Sequence, residues 1–165
     1  LVRKTNHGYR DPFILEALRL LVEIKENTPA YSEAIIKMRV GDRVVHTAAE
    51  GNGPVNALDN ALRKALYDFY PCIGSMHLTD YKVRVLEEKD GTGAAVRVHI
   101  QTGDGKRSWG TVGVSRNIIE ASWQALADSI SYGLLKGDHL ARNGKEEKAG
   151  VNGKKPAGNG SLQTN

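Results

Sequence analysis

The middle of the chain alternates apolar and polar positions in a way only a strand with one covered face would use. Ala34, Ile36, Met38 and Val40 fall on one face, with Lys37 and Arg39 on the other. Gly41-Asp42 supplies a turn, and Arg43 to Ala49 runs back as a second strand, which together predict a hairpin. Leu20, Val22 and Ile24 alternate just upstream and predict a strand before Tyr31. Gly51-Asn52-Gly53-Pro54 breaks the pattern, and Pro54 suits the first turn of a helix, where its missing N–H costs nothing. Leu58, Leu62, Ala65, Leu66 and Phe69 then recur at three- and four-residue spacing until Pro71 stops the run. The order is strand, strand, strand, helix.

That order comes twice. Tyr81, Val83 and Val85 alternate with Lys82 and Arg84, and Asp90-Gly91 makes a turn. Ala94, Val96, Val98 and Ile100 alternate with Arg97 and His99. Gly103-Asp104-Gly105 turns the chain again, and Arg107 to Val114 forms a sixth strand. Asn117, with Glu120 three residues on, resembles a capping pair at a helix start. Ile119, Trp123, Leu126, Ile130 and Leu134 form the helical stripe that follows. Aligning the segment from Asn56 to Leu62 with that from Glu120 to Leu126 gives an offset of 64 residues. We read an internal duplication of a βββα unit, with repeats at 18–71 and 75–136.

A βββα unit has a one-sided sheet and a one-sided helix, so both must be buried against something. Two such units packed together give an α+β domain with one core, large enough to fold independently. The second helix also carries a row of small residues, Ala121, Ala125, Ser129 and Gly133. This row fits either a helix lying flat on its own sheet or a contact between subunits. Residues 137–165 are rich in Gly, Asn and Lys, with only Leu140, Val151 and Leu162 as large aliphatics. Such a stretch predicts a disordered tail.

Composition narrows the function only a little. The chain of 165 residues is 40% hydrophobic and 25% charged, and no apolar run approaches the length of a membrane span. Its single cysteine, Cys72, excludes an intrachain disulfide and any multi-cysteine metal site, and makes a reducing cytoplasm the expected compartment. A net charge of +4 permits a nucleic-acid partner without requiring one. The five histidines show no metal-ligand spacing, and no nucleophile elbow or His-Glu-x-x-His is present, so no metal or catalytic residue is expected.

Two glycine-bearing segments lead into the helices: Glu50 to Asn56, and Trp109 to Ser115. Each offers backbone N–H groups near a helix N-terminus, which attract a phosphate or carboxylate. Glycines there also serve simply to let the chain turn sharply. Neither segment is a P-loop, because no Gly-Lys-Ser/Thr follows.

At these residues the chain resembles a known family. The run Thr47 to Leu58 is similar to the glycine–proline signature in the C-terminal regulatory domain of the 2-isopropylmalate synthase family, as are Leu78 to Val83 and Ser108 to Ser115 with Asn117 to Trp123. The resemblance covers residues 18–136 and looks closest to the citramalate synthase branch, which feeds isoleucine synthesis. Residues 1–17 resemble the end of the linker that follows a catalytic barrel, and the barrel's metal-binding His-x-His element is not in this sequence.

The resemblance implies two βββα units that form a homodimer and bind the end-product amino acid near the dimer interface. It also implies a parent acyltransferase that condenses acetyl-CoA with a 2-oxo acid on a barrel carrying a divalent metal. This chain would then be the sensor, without cofactors or catalysis of its own. Carried over, the effector pocket would use Gly51, Gly53, Pro54 and Val55, then Leu78, Tyr81 and Val85, and finally Val114.

A free amino acid needs a carboxylate site, an ammonium site and an apolar slot. The N–H groups around Gly51 to Val55 suit the carboxylate. Asp80 and Glu50 are candidates for the ammonium, or plain surface charges, and Tyr81 is either a wall of the slot or core. Isoleucine and leucine differ only in where one methyl branches, so sequence does not separate them as effector. The alternative reading is a basic α+β nucleic-acid-binding module, supported by Arg39, Arg43, Lys82, Arg84, Arg97 and Arg107. Those cations alternate as a solvated sheet face would, with no interleaved aromatic row.

Overall fold

A computed structural model describes residues 11–86 and 93–150, with the backbone alone from 137 onward. Six strands and two helices follow one another as two βββα units. The first comprises β1 (Ile14–Glu23), β2 (Tyr31–Val40), β3 (Arg43–Gly51) and α1 (Pro54–Leu66). A short 3-10 segment, Pro71–Ser75, leads to β4 (His77–Val85), β5 (Val96–Gly103), β6 (Ser108–Ser115) and α2 (Ile118–Gly150). Each unit forms its own antiparallel sheet in simple meander order, β1-β2-β3 and β4-β5-β6. The expected α+β duplication is the observed fold.

Inner faces follow from the alternation. Ala34, Ile36, Met38 and Val40 are all buried beneath α1, and Gly41 turns the β2–β3 hairpin at φ 57°, a left-handed conformation that glycine adopts without strain. In the second sheet Val98, Ile100 and Thr102 are buried, and the register places them opposite Gly113, Thr111 and Trp109. Each helix lies over the second and third strands of its own unit and touches the other helix, so one core joins both units. The first strand of each unit is left at the margin. Leu78, Val83 and Val85 on β4 remain 36, 38 and 53% exposed although their register partners are buried or half-buried.

The duplication is visible in matching hydrogen bonds. Ala57 N–H donates to Gly53 O and Ala121 N–H to Asn117 O, each at 2.9 Å and 64 positions apart. Gly53 is the N-cap of α1, and the Asn117 side chain accepts from Ile119 N–H at 2.8 Å at the start of α2. The expected capping pair is half present: Glu120 accepts from the Ser115 hydroxyl at 2.6 Å instead of reaching Asn117.

The small-residue row on α2 faces its own sheet. Thr111 Oγ1 donates to Ala125 O at 2.7 Å, and Trp109 Nε1–H donates to Ser129 O at 3.1 Å. A Cβ on Gly133 would lie within 3 Å of Met76 and Trp109. Of the two fits open from sequence, the helix lying flat is the one adopted.

Three boundaries differ from expectation. β1 begins at Ile14, inside the stretch assigned to a linker, and Phe13 before it is buried against Trp123 in an edge-on ring contact. Tyr70 Oη also donates to Pro12 O at 3.0 Å. β1 ends at Glu23, leaving Ile24 exposed. The backbone of α2 runs on to Gly150, through residues expected to start a tail, because Leu140, Ala141, Arg142 and Glu146 to Ala149 all favour helix. The Asp90-Gly91 turn, the first ten residues and 151–165 lie outside the described residues.

Candidate functional site

α1 presents two faces. Ala57, Leu58, Ala61, Leu62, Ala65 and Leu66 are buried in the core. Val55, Asn56, Asp59 and Arg63, at spacings of one, three and four, line a cleft on another side. Its remaining walls are Tyr67, the 3-10 segment at Ile73 and Gly74, Met76 and the first half of β4 (His77, Leu78 and Tyr81), with Leu126 of α2. The cleft has a volume of about 620 Å³, within the range of small-ligand sites. It sits where the two repeats meet.

Of the residues that the resemblance points to, Val55, Leu78 and Tyr81 converge on this cleft. Pro54 is the adjoining first residue of α1. Val85 stands seven residues beyond Leu78 along β4, roughly 20 Å away. Val114 is on the far face of its sheet opposite Arg97, with its N–H donating to Gln124 Oε1 at 3.1 Å. Neither lines the cleft of the single chain.

The glycines act through close packing. Neither Gly51 nor Gly53 has positive φ, and Gly53 is extended at φ −175° with nothing within 4 Å of a built Cβ. At Gly51 a Cβ would lie 2.3 Å from Ala57 N, and at Gly113 it would lie 1.9 Å from Ala121 O. These two let each helix start directly against the strand before it. The sharp-turn explanation of the sequence reading is replaced by helix–strand contact.

No side chain caps the first turn of α1, so its amide N–H groups are not taken up by a side-chain acceptor at the N-cap. Asn56 turns its Oδ1 back to accept from Asn52 N–H at 3.0 Å, which fixes the loop. Asn60 Nδ2 donates to Glu50 O at 2.9 Å and Lys64 Nζ to Ala48 O at 3.0 Å, holding α1 on β3. Pro54 has no N–H and Ala57 N–H is taken by Gly53 O, so Val55 and Asn56 supply the amides that this end of the helix can offer, and an oriented helix N-terminus favours a carboxylate.

Tyr81 ties the first strand of the second repeat to that repeat's helix. Its hydroxyl lies 3.0 Å from Ser122 Oγ, and Ser122 Oγ already donates its proton to Ile118 O at 2.6 Å. Tyr81 therefore donates and Ser122 accepts, which ties β4 to the first turns of α2.

The charged group of the cleft is one that sequence reasoning missed. Asp59 Oδ2 accepts from Arg63 Nε at 2.9 Å, and Arg63 Nη1 donates to Met76 O at 2.5 Å and Ile73 O at 3.4 Å. Arg63 thus clasps the start of β4 to α1. Asp59 Oδ1 is buried without a hydrogen-bond partner among the described residues, an arrangement that costs about 1–3 kcal/mol or more for a charged group. On a bare sequence an Asp and an Arg four apart read as an exposed helix pair; here their side chains are only 14% and 22% exposed.

The two carboxylates named from sequence lie elsewhere. Asp80 pairs with Lys82, whose ammonium beside it holds the carboxyl below its ordinary value. Glu50 is exposed and sits across from Glu33 on β3 and β2. Tyr31 nearby is pushed up from its ordinary value, first by desolvation and then by a hydrogen bond to Glu50 and the charges of Glu33, Glu50 and Glu23. Neither Asp80 nor Glu50 lines the cleft. Arg84 and Arg97 pair across strands on the outer face of the second sheet, while Trp109 turns inward to α2, so that face gains no stacking platform from it.

Among the described residues no cluster of three or more His, Cys, Asp or Glu is placed to hold a metal ion, and no helix is long and apolar enough to cross a membrane.

Comparison with known proteins places this geometry in context. The family described as "LeuA allosteric (dimerisation) domain" matches residues 1–134. An (R)-citramalate synthase of Geobacter sulfurreducens is 50% identical over 141 residues, covering 85% of this chain and 27% of that protein. The (R)-citramalate synthase of Aquifex aeolicus is 52% identical over 128 residues, covering 77% of the chain and 24% of that protein. A 2-isopropylmalate synthase of Shewanella amazonensis is more distant, 32% identical over 131 residues, covering 74% of the chain and 23% of the relative. The chain spans about a quarter of the length of these relatives. It belongs to the LeuA allosteric (dimerisation) domain family, carried by citramalate and 2-isopropylmalate synthases.

Proposed function

We propose that this chain is the effector-sensing domain of an acyltransferase of the citramalate synthase kind, and that isoleucine binds in the cleft between α1 and β4. The observation that carries the reading is the convergence of Val55, Leu78 and Tyr81 on one cleft between the repeats. The carboxylate of the amino acid takes the uncapped amides of the first turn of α1. Its aliphatic body packs on Leu78, Leu126 and the ring of Tyr81. A ligand held between Val55 of α1 and Tyr81, itself bonded to Ser122 of α2, bears on both repeats at once. The higher identity to citramalate synthases favours isoleucine over leucine as the feedback signal.

In this reading the condensation of acetyl-CoA with a 2-oxo acid, and the divalent metal, belong to a barrel outside these residues. The domain itself is non-catalytic and acts in the cytoplasm. It works as a homodimer, for which the uncovered apolar positions Leu78, Val83 and Val85 of β4 and Val22 of β1 offer surface.

Calorimetric titration tests the proposal. Isoleucine should bind, leucine should bind more weakly, and a hundredfold excess over Kd should add about 2.7 kcal/mol of stability. A melting curve unmoved by millimolar isoleucine and leucine alike overturns it.

A further inference from the structure

The cleft carries two formal side-chain charges, Asp59 and Arg63, and they cancel. A zwitterion entering it adds no net charge, whereas a carboxylic acid without an amine brings an unbalanced anion. One oxygen of Asp59 is held by Arg63 and the other is buried without a partner among the described residues. Asp59 lines the cleft, and an oxygen left without a partner there gains one when a cationic donor enters.

Helix geometry sets what it would meet there. Side chains on an α-helix lean toward its N-terminus, so the carboxylate of Asp59 lies over the turn containing Val55 and Asn56. Those are the residues whose amides the function proposed above assigns to the effector carboxylate. An α-amino acid carries its ammonium one carbon from its carboxylate, and this pairing of an anion site with a carboxylate that has one oxygen unsatisfied has the matching order.

We propose that Asp59 is the acceptor for the α-ammonium, and is therefore the residue that makes the cleft respond to an amino acid and ignore the 2-oxo acid of the same carbon skeleton. The assignment rests on the function proposed above. It gives a feedback sensor a useful property, because a 2-oxo acid of the same carbon skeleton shares the carboxylate and the apolar body of the effector and has a carbonyl in place of the ammonium.

Wild-type protein and Asp59→Asn are titrated with isoleucine, 3-methyl-2-oxopentanoate and 3-methylpentanoate, with far-UV circular dichroism as a check of folding. A hydrogen bond to a charged group is worth roughly tenfold or more in affinity. Wild type should bind isoleucine at least about tenfold more tightly than either deaminated acid, and Asp59→Asn should lose that preference. The comparison of ligands on wild type alone decides the matter should the variant fail to fold. Deaminated acids binding wild type as well as isoleucine does, or a folded Asp59→Asn that keeps the preference, overturns the assignment of Asp59 while leaving the cleft as effector site. A wild type indifferent to isoleucine overturns both.

Discussion

Adding one methyl group at each glycine of the two helix-entry segments should separate the glycines the fold requires from those it merely contains. A Cβ at Gly113 would stand 1.9 Å from Ala121 O, 2.8 Å from Ala121 C and 3.0 Å from Gln124 Cβ. The obstacle is the backbone of α2, so relief requires the helix to lift by more than about 1 Å from β6. Overpacking alone costs about 1–3 kcal/mol. Lifting the helix also stretches the Thr111–Ala125 and Trp109–Ser129 bonds, each worth about 0.5–1.5 kcal/mol. Gly113→Ala should therefore cost about 3–5 kcal/mol. Gly51→Ala should cost about as much, since its Cβ would lie 2.3 Å from Ala57 N. At Gly53 a Cβ meets nothing and the backbone is extended, so Gly53→Ala should stay within about 1 kcal/mol of wild type. At Gly110 it meets only the ends of His99 and Gln101, which can move, and the cost should again be about 1 kcal/mol or less. Urea unfolding of the four variants reads these values directly. The reasoning is refuted if Gly51→Ala and Gly113→Ala both fall within about 1 kcal/mol of wild type, or if Gly53→Ala is as damaging as Gly51→Ala.

Tyr81→Ala should weaken the isoleucine-induced rise in Tm by removing a wall of the cleft, while Lys82→Ala, on the opposite strand face and paired with Asp80, should leave it intact; thermal shift on both variants checks the facing. Asp104 is held down to about 2 from its ordinary 3.8 by the Arg107 side chain, then by the backbone N–H groups of Arg107 and Lys106. A depressed carboxyl contributes stability that is full above its unfolded value and lost as pH falls through its folded one, so Tm should decline between about pH 4 and pH 2, less steeply in Asp104→Asn. Light scattering after size exclusion should give about twice the 18.0 kDa of one chain, and a monomer at high micromolar concentration would contradict the dimer.

Much of this fold is legible in the chain because its inner strands are strictly two-faced. β2 and β5 alternate without error, and the second helix begins 64 residues after the first as the repeat offset requires. β1 is harder to read. Ile14, Leu15, Leu18, Leu20, Leu21 and Val22 occupy both faces, and an irregularity between Leu15 and Ala17 shifts the register. At the margin of its sheet, with α1 over its neighbours, this strand has no single covered face to impose alternation.

The site divides in the same way. Val55, Leu78 and Tyr81 follow from motif positions, and the fold gathers them. Asp59 is silent in sequence because its ion pair with Arg63 is a common pattern on exposed helices. Only the packing of the 3-10 segment and β4 over that face leaves it a partly buried carboxylate with one buried, unsatisfied oxygen among the described residues. The glycines are conspicuous in sequence for one reason and needed in the structure for another.

The most direct measurement is a residue-by-residue map of isoleucine binding by two-dimensional NMR on isotope-labelled protein. The account predicts that the amides of Val55, Asn56, Leu78 and Tyr81 shift first and saturate together, while Lys82 and Arg97 on the outer sheet face stay still. Shifts centred on that outer face, or a spectrum unchanged at millimolar isoleucine, would contradict it.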